Sequence, residues 1–213
     1  MSAGPARALA YPLLVTGGTL AVVAAWVPFA DIDQLSALAV VALAVLVYTA
    51  YQLGLAFGVF PTGLVAAGTV GGRRVRQQYR LVSRSWLEIS SGGRAVWQPV
   101  FYDPALSVLT PTDLTVTGRS IAEGTTRFYP SGRVRTGEPA GKLVDNPSRA
   151  SEPPAYGIPR RLILDIQPAI GAPLVGLLWV YVMNGGVGAF VAATTVAAAT
   201  FTWLSAIRGS DPS

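Results

Sequence analysis

The chain has no cysteine and no histidine. Without thiols there is no disulfide framework and no thiolate metal site. Without imidazole there is no Ser-His-Asp triad and none of the common zinc ligand sets. No P-loop, no glycine-rich dinucleotide fingerprint and no paired-acid metal motif is present. The sequence therefore points to no cofactor, no metal and no catalytic residue. Charge is scarce as well: 13% of the 213 residues are charged, about half the share usual in a soluble domain. Lysine is almost missing, with Lys142 the single one among sixteen basic residues. Arginine in place of lysine, with abundant Ala, Val and Gly, reads as the coding bias of a GC-rich genome and not as a mechanism.

What is there is apolar surface: 51% of the residues are hydrophobic, and they fall into two terminal blocks. The first holds Leu9 to Ala30 and Leu35 to Phe60. The second runs from about Pro168 to Ile207 and is interrupted at Asn184-Gly185-Gly186. A bilayer span needs roughly 20 mostly apolar residues, so each block accommodates two. The first stretch exceeds the apolar core of a signal peptide and is followed at once by another, so it is read as a retained span. The expected fold class is a membrane protein of four transmembrane α-helices, two N-terminal and two C-terminal. A small all-β cytoplasmic domain, an SH3-like or OB-like barrel, is inserted between the pairs. The expected units are residues 1–70, 71–160 and 161–213.

The arginines set the topology. The turn Asp31-Ile32-Asp33-Gln34 is acidic and the turn around Asn184 is uncharged, whereas Arg7, Arg73 to Arg84, Arg160, Arg161 and Arg208 all fall on the opposite side. By the positive-inside rule that side is cytoplasmic, which makes this a multi-pass inner-membrane protein with both termini and the central segment in the cytosol. The net charge of +5 thus reports topology and not a nucleic-acid partner. Residues 61 to 70 read as a helix extension, an interfacial segment or a re-entrant piece. Asp165 reads as interfacial, or as part of a last strand of the central segment.

Two sets of candidate site residues follow. Arg73, Arg76, Arg80 and Arg84 recur at helical spacing, so with Arg74 they form a basic face suited to anionic lipids of the inner leaflet. Small residues four apart share a helix face and allow close packing in lipid. These ladders are Gly17, Ala21 and Ala25, then Ala50, Gly54 and Gly58, then Gly185, Ala189, Ala193 and Ala197. They serve bundle packing, or an interface with a second copy or another membrane protein.

From Trp86 to about Val134, short β-rich runs alternate with turn signals: Trp86 to Ser90, Ala95 to Tyr102 with Pro99 marking an edge or bulge, Leu106 to Leu109, Asp113 to Thr117, and a hairpin from Thr126 to Arg135. Residues 136 to 159 are rich in Gly, Pro, Asn and Ser and read as an extended connection.

Three segments, Trp97-Gln98-Pro99-Val100-Phe101-Tyr102-Asp103-Pro104-Ala105-Leu106, Tyr129-Pro130-Ser131-Gly132-Arg133-Val134-Arg135 and Glu138 to Arg149, resemble transmembrane proteins of actinobacteria, including mycobacteria. The resemblance implies the four-span layout. That family has no assigned activity, so it implies no catalytic or binding residue. Three functional readings stay open: a non-enzymatic scaffold or accessory subunit; an enzyme on lipid or envelope precursors using Glu88, Asp103 and Asp113; and a small oligomeric transporter or channel. The spans hold no deep ionisable residue, the usual mark of an ion path.

Overall fold

The computed structural model describes residues 5–91, 93–117, 120–145, 156–183 and 185–213. It contains four helices long and apolar enough to cross a membrane, Arg7–Phe29, Ile32–Ala56, Ile158–Met183 and Val187–Ile207. A curled antiparallel sheet lies between the two pairs in sequence. Four apolar helices around one bundle fit a membrane-embedded protein.

Helix α1 spans Pro5–Trp26 and α2 spans Ile32–Ala56. Asp31 starts α2 as its N-cap, accepting a hydrogen bond from the Gln34 N–H at 2.8 Å. That satisfies one of the orphan amides of the first turn. The third apolar segment begins at Ile158, well before Pro168, and is broken in two: α3 (Ile158–Asp165) and α4 (Ala172–Met183), with a 3-10 turn over Gln167–Gly171. Pro168, the second residue of that turn, has no N–H to continue the α-helical ladder. Asp165 therefore closes a helix and belongs to no strand. Helix α5 (Val187–Ile207) is the axis of the bundle, packed on α1 along one side and on α4 along the other, while α2 reaches it at few points.

Helices α4 and α5 approach closely at Gly176 of α4, which is buried. A methyl group there would collide with Thr194 Oγ1 and sit 3.1 Å from the Phe190 carbonyl of α5. The ladder residues behave differently. Gly17, Ala21 and Ala25 are exposed on α1. Ala50 is exposed, and Gly54 and Gly58 serve the end of their own helix: Phe60 folds its ring onto Gly54 and donates its N–H to the Gly54 carbonyl at 3.0 Å, and Gly58 adopts φ +74°.

The strands are β1 (Gly68–Tyr79), β2 (Val82–Ser91), β3 (Arg94–Val100), β4 (Thr112–Thr117), β5 (Ser120–Glu123), β6 (Thr126–Phe128) and β7 (Lys142–Asp145). Their order is β3-β2-β1-β4-β5-β6, with β7 also on β1. The arginine-rich stretch expected as a helix is thus the end of strand β1, the β1–β2 turn and the start of β2. Gly71 and Gly72 disfavour a helix, Val70 and Val75 favour a pleated surface, and three strands pair along β1. Residues 61–67 are neither a helix extension nor a re-entrant piece. They run as an extended lead into β1, with Ala66 packed in the domain core. Part of the expected loose connection is ordered as β7; residues 146–155 lie outside the described residues, as do Gly92 and Asn184 of the expected turns.

Alternation along the strands builds the core. Leu87 and Ile89 of β2, Leu114 and Val116 of β4, Ile121 and Phe128 all face inward onto Leu106 and Leu109. Beyond β6 the chain turns back along β3: Phe101 N–H donates to Tyr129 O at 2.8 Å, and Trp97 and Arg135 exchange two 2.8 Å bonds. Pro99, which lacks a donor, accepts from Ser131 N–H.

Gly176→Ala is expected to lower the thermal unfolding midpoint of the detergent-solubilised chain, an overpacking cost of about 1–3 kcal/mol. Gly17→Ala, with open space around its Cβ, is expected to leave it unchanged. Equal effects at both positions would contradict this assignment of the helix contact.

Candidate functional site

The polar side chains converge where the bundle meets the sheet. After α5 the chain turns at Gly209 (φ +80°) and lays residues 210–213 along β2 past the end of β3. Ser210 bridges Arg84, and Asp211 N–H donates to Ser83 O at 2.9 Å. A β-carbon on residue 209 would lie 2.6 Å from Ser131 Oγ, so only glycine fits the turn.

This tail carries Asp211 into the domain. Its carboxylate lies 2.6 Å from the Arg74 guanidinium, and both side chains are shut from solvent, at 0% and 2% exposure. It also accepts from Ser85 Oγ at 2.6 Å and from the N–H and Oγ of Ser213 at 2.9 and 2.7 Å. Burial alone would push this carboxyl up; the Arg74 charge and the Ser donors outweigh it and hold it below the ordinary range. Tyr102, 6.0 Å from the same guanidinium, bonds Ser107 at 3.0 Å, and burial pushes its phenol up to about 12. It stays neutral and supplies no base.

A second node ties the helices to the same tail. Asp165 accepts from Tyr11 OH of α1 at 2.7 Å, Ser205 Oγ of α5 at 2.7 Å and Ser210 Oγ at 2.9 Å. The Arg161 guanidinium lies 3.9 Å over the Tyr11 ring. Gln52 of α2 completes the set, donating from Nε2 to the Ser131 carbonyl of the domain at 3.1 Å. A cavity of about 210 Å³ lies among Arg80, Ser83, Arg161, Asp165 and Asp211, room for a few waters. Asp165 receives three donors and Asp211 four. Carboxylates so saturated hold structure together and have little left for proton abstraction.

The predicted basic face is divided by the strand. Arg73 and Arg74 point to opposite faces of β1. Arg73 pairs with Glu88 at 2.7 Å and Asp145 at 3.3 Å, and the Glu88 hydrogen bond raises its pKa. Arg74 belongs to Asp211, and Arg76 donates to the Ser213 carbonyl. Arg80 sits in the β1–β2 turn at φ +54° with its guanidinium 5.2 Å over Tyr79. Arg80 and Arg84 meet no carboxylate among the described residues.

The third ladder lies elsewhere. Gly185 in the turn before α5, with Ala189, Ala193 and Ala197 of α5, floors an apolar groove of about 730 Å³, walled by α2 at Val41 and by α4 at Trp179. Groups of three or more metal-ligating side chains are absent among the described residues. Of the acids considered for catalysis, Asp103 caps the turn Pro104–Val108 through Ala105 N–H, and Glu88 is held by Arg73. Asp113 is exposed on β4. Glu88 and Asp113 line one open groove on the sheet with Arg73, and Asp103 lies outside it.

Tyr11, Gln52, Ser205, Ser210 and Asp211 were not legible as a site in the sequence. One signal was present: Asp211 is the single acid between residues 166 and 213.

Asp211→Asn leaves Arg74 buried without its counter-charge and is expected to destabilise the chain by about 3–5 kcal/mol. The double variant Arg74→Met/Asp211→Leu is expected to recover most of that loss. Because the folded carboxyl titrates below the unfolded value of about 3.9, the pair stabilises fully above that pH and is lost as pH falls through the folded value. Melting curves from pH 8 to pH 3 check this: the gap between wild type and Asp211→Asn stays constant down to about pH 5 and narrows below about pH 4.

No protein-family model matches the chain, and neither a curated protein nor a solved structure is similar to it.

Proposed function

We propose that the protein is a multi-pass inner-membrane scaffold or accessory subunit with its termini and β domain in the cytosol. The observation that carries this reading is the lateral groove between α2 and α4. It is apolar, about 730 Å³ in volume, floored by the small side chains of α5 and flanked by Trp26 and Trp179. In lipid, helices associate where small residues admit close backbone approach. The groove therefore suits a transmembrane helix of another chain, and the bilayer and its anionic inner-leaflet lipids are the surrounding partners. The arginine asymmetry supports the orientation, and the curled sheet supports a small barrel-like module of the SH3 or OB kind. The saturated carboxylates at the junction favour a rigid coupling of module to bundle over catalysis.

The cysteine-free chain makes the test clean. Ala193→Cys in the groove is expected to cross-link to a second chain in native membranes, and Gly17→Cys on the outer face of α1 is not. Ala193→Leu is expected to abolish co-purification of the cross-linked chain in mild detergent. A wild-type chain that runs alone, with no cross-link from the groove, would sink the proposal.

A further inference from the structure

Arg84 lies near the start of β2, and its side chain shares a face with that of Trp86 two residues on. The Arg135 guanidinium lies 5.6 Å over the Trp86 ring, fixed there by the backbone exchange with Trp97. The tail approaches from the other side: Ser210 bridges Arg84, and Arg208, two residues earlier, caps α5. Arg208, Tyr48 and Arg135 are the charged and titratable groups close enough to act on the Arg84 guanidinium.

None of the three arginines meets a carboxylate among the described residues. The ion pairs among the described residues are Arg73 with Glu88 and Asp145, and Arg74 with Asp211. Arg84 Nε is buried and has no hydrogen-bond partner among the described residues. The C-terminal end of α5 offers roughly half a negative charge against three positive ones, and Gln52 already approaches its Ile207 carbonyl. Burial, with Arg208 and Arg135 alongside, depresses the Arg84 pKa to about 10. A guanidinium in this position is costly unless an anion joins it.

We propose that Arg84, Arg135 and Arg208 form a binding site for an anionic phosphate group. Guanidinium forks match paired phosphate oxygens, and the site lies where the apolar helix α5 ends, the place where basic residues meet headgroups if that helix spans a bilayer. The source is then an anionic phospholipid of the adjoining leaflet or a soluble phosphate. The site depends on the membrane embedding of the bundle only for the first source, and on the scaffold role for neither.

Thermal unfolding of the purified full chain in neutral detergent tests it, with phosphatidylglycerol, phosphatidylcholine or inorganic phosphate added. Phosphatidylglycerol is expected to raise the midpoint and phosphatidylcholine is not. Arg84→Gln and Arg208→Gln are each expected to weaken the apparent affinity by about tenfold or more, the loss of one charge-assisted contact. Arg94→Gln, on the exposed start of β3, is expected to respond as wild type. A response to phosphatidylglycerol alone assigns the site to a headgroup, and an equal response to inorganic phosphate assigns it to a soluble anion. Equal stabilisation by phosphatidylcholine, or an undiminished response in both Arg84→Gln and Arg208→Gln, overturns the proposal. Arg208 is exposed, so its variant remains informative if Arg84→Gln does not fold.

Discussion

A guanidinium and a carboxylate that are both removed from water persist only as a pair, since either alone costs several kcal/mol. Arg74 and Asp211 meet that condition, and much of the junction depends on it. Arg74 comes from the first strand of the sheet and Asp211 from the chain beyond the last helix. Closing the pair draws residues 210–213 onto β2. That in turn places Ser210 within reach of Asp165, and Asp165 gathers Tyr11 and Ser205 from two further helices. One ion pair thus links sheet, tail and bundle. Its neighbours are apolar where they need no partner: Ala8, Leu9 and Ala56 of the bundle pack on Phe101 and Tyr129 of the domain.

The bundle shows a different economy. Helix α5 is contacted on two sides and left open on a third, where α2 and α4 stand apart. Tight packing is concentrated at Gly176 against Phe190 and Thr194. The small residues of α5 face the opening, and those of α1 face outward. Small side chains permit close approach but do not compel it, so the same pattern serves a packed contact, an open groove and a bare helix face in one chain.

The layout was legible in the sequence because it rests on length and polarity. Four apolar runs separated by polar turns need no long-range information, and period-two alternation at Leu87-Ile89 and Leu114-Val116 marks strand faces directly. Residues 73 to 84 were misread because their arginines fit a helical period. Spacing of charge says nothing about the glycines and β-branched residues between them, nor about the three strands that pair with β1. Residues 142–145 were misread because four residues, Lys142–Asp145, become a strand only when β1 supplies the partner.

The sequence by itself determined which segments are apolar enough for lipid, that thiol and imidazole chemistry is absent, and that the arginines gather at one end of the bundle. Each of these is a sum over local composition. The tertiary structure decided which arginines are neutralised and which are not. Arg74 and Arg84 are both basic residues of the same polar segment, yet Arg74 finds Asp211 and the charges that act on Arg84 are those of Arg208 and Arg135. Strand parity turns neighbouring side chains to opposite faces, and a partner 137 residues away arrives only through the turn at Gly209. Pairing of that kind depends on where the folded chain brings its ends together, which no local pattern encodes.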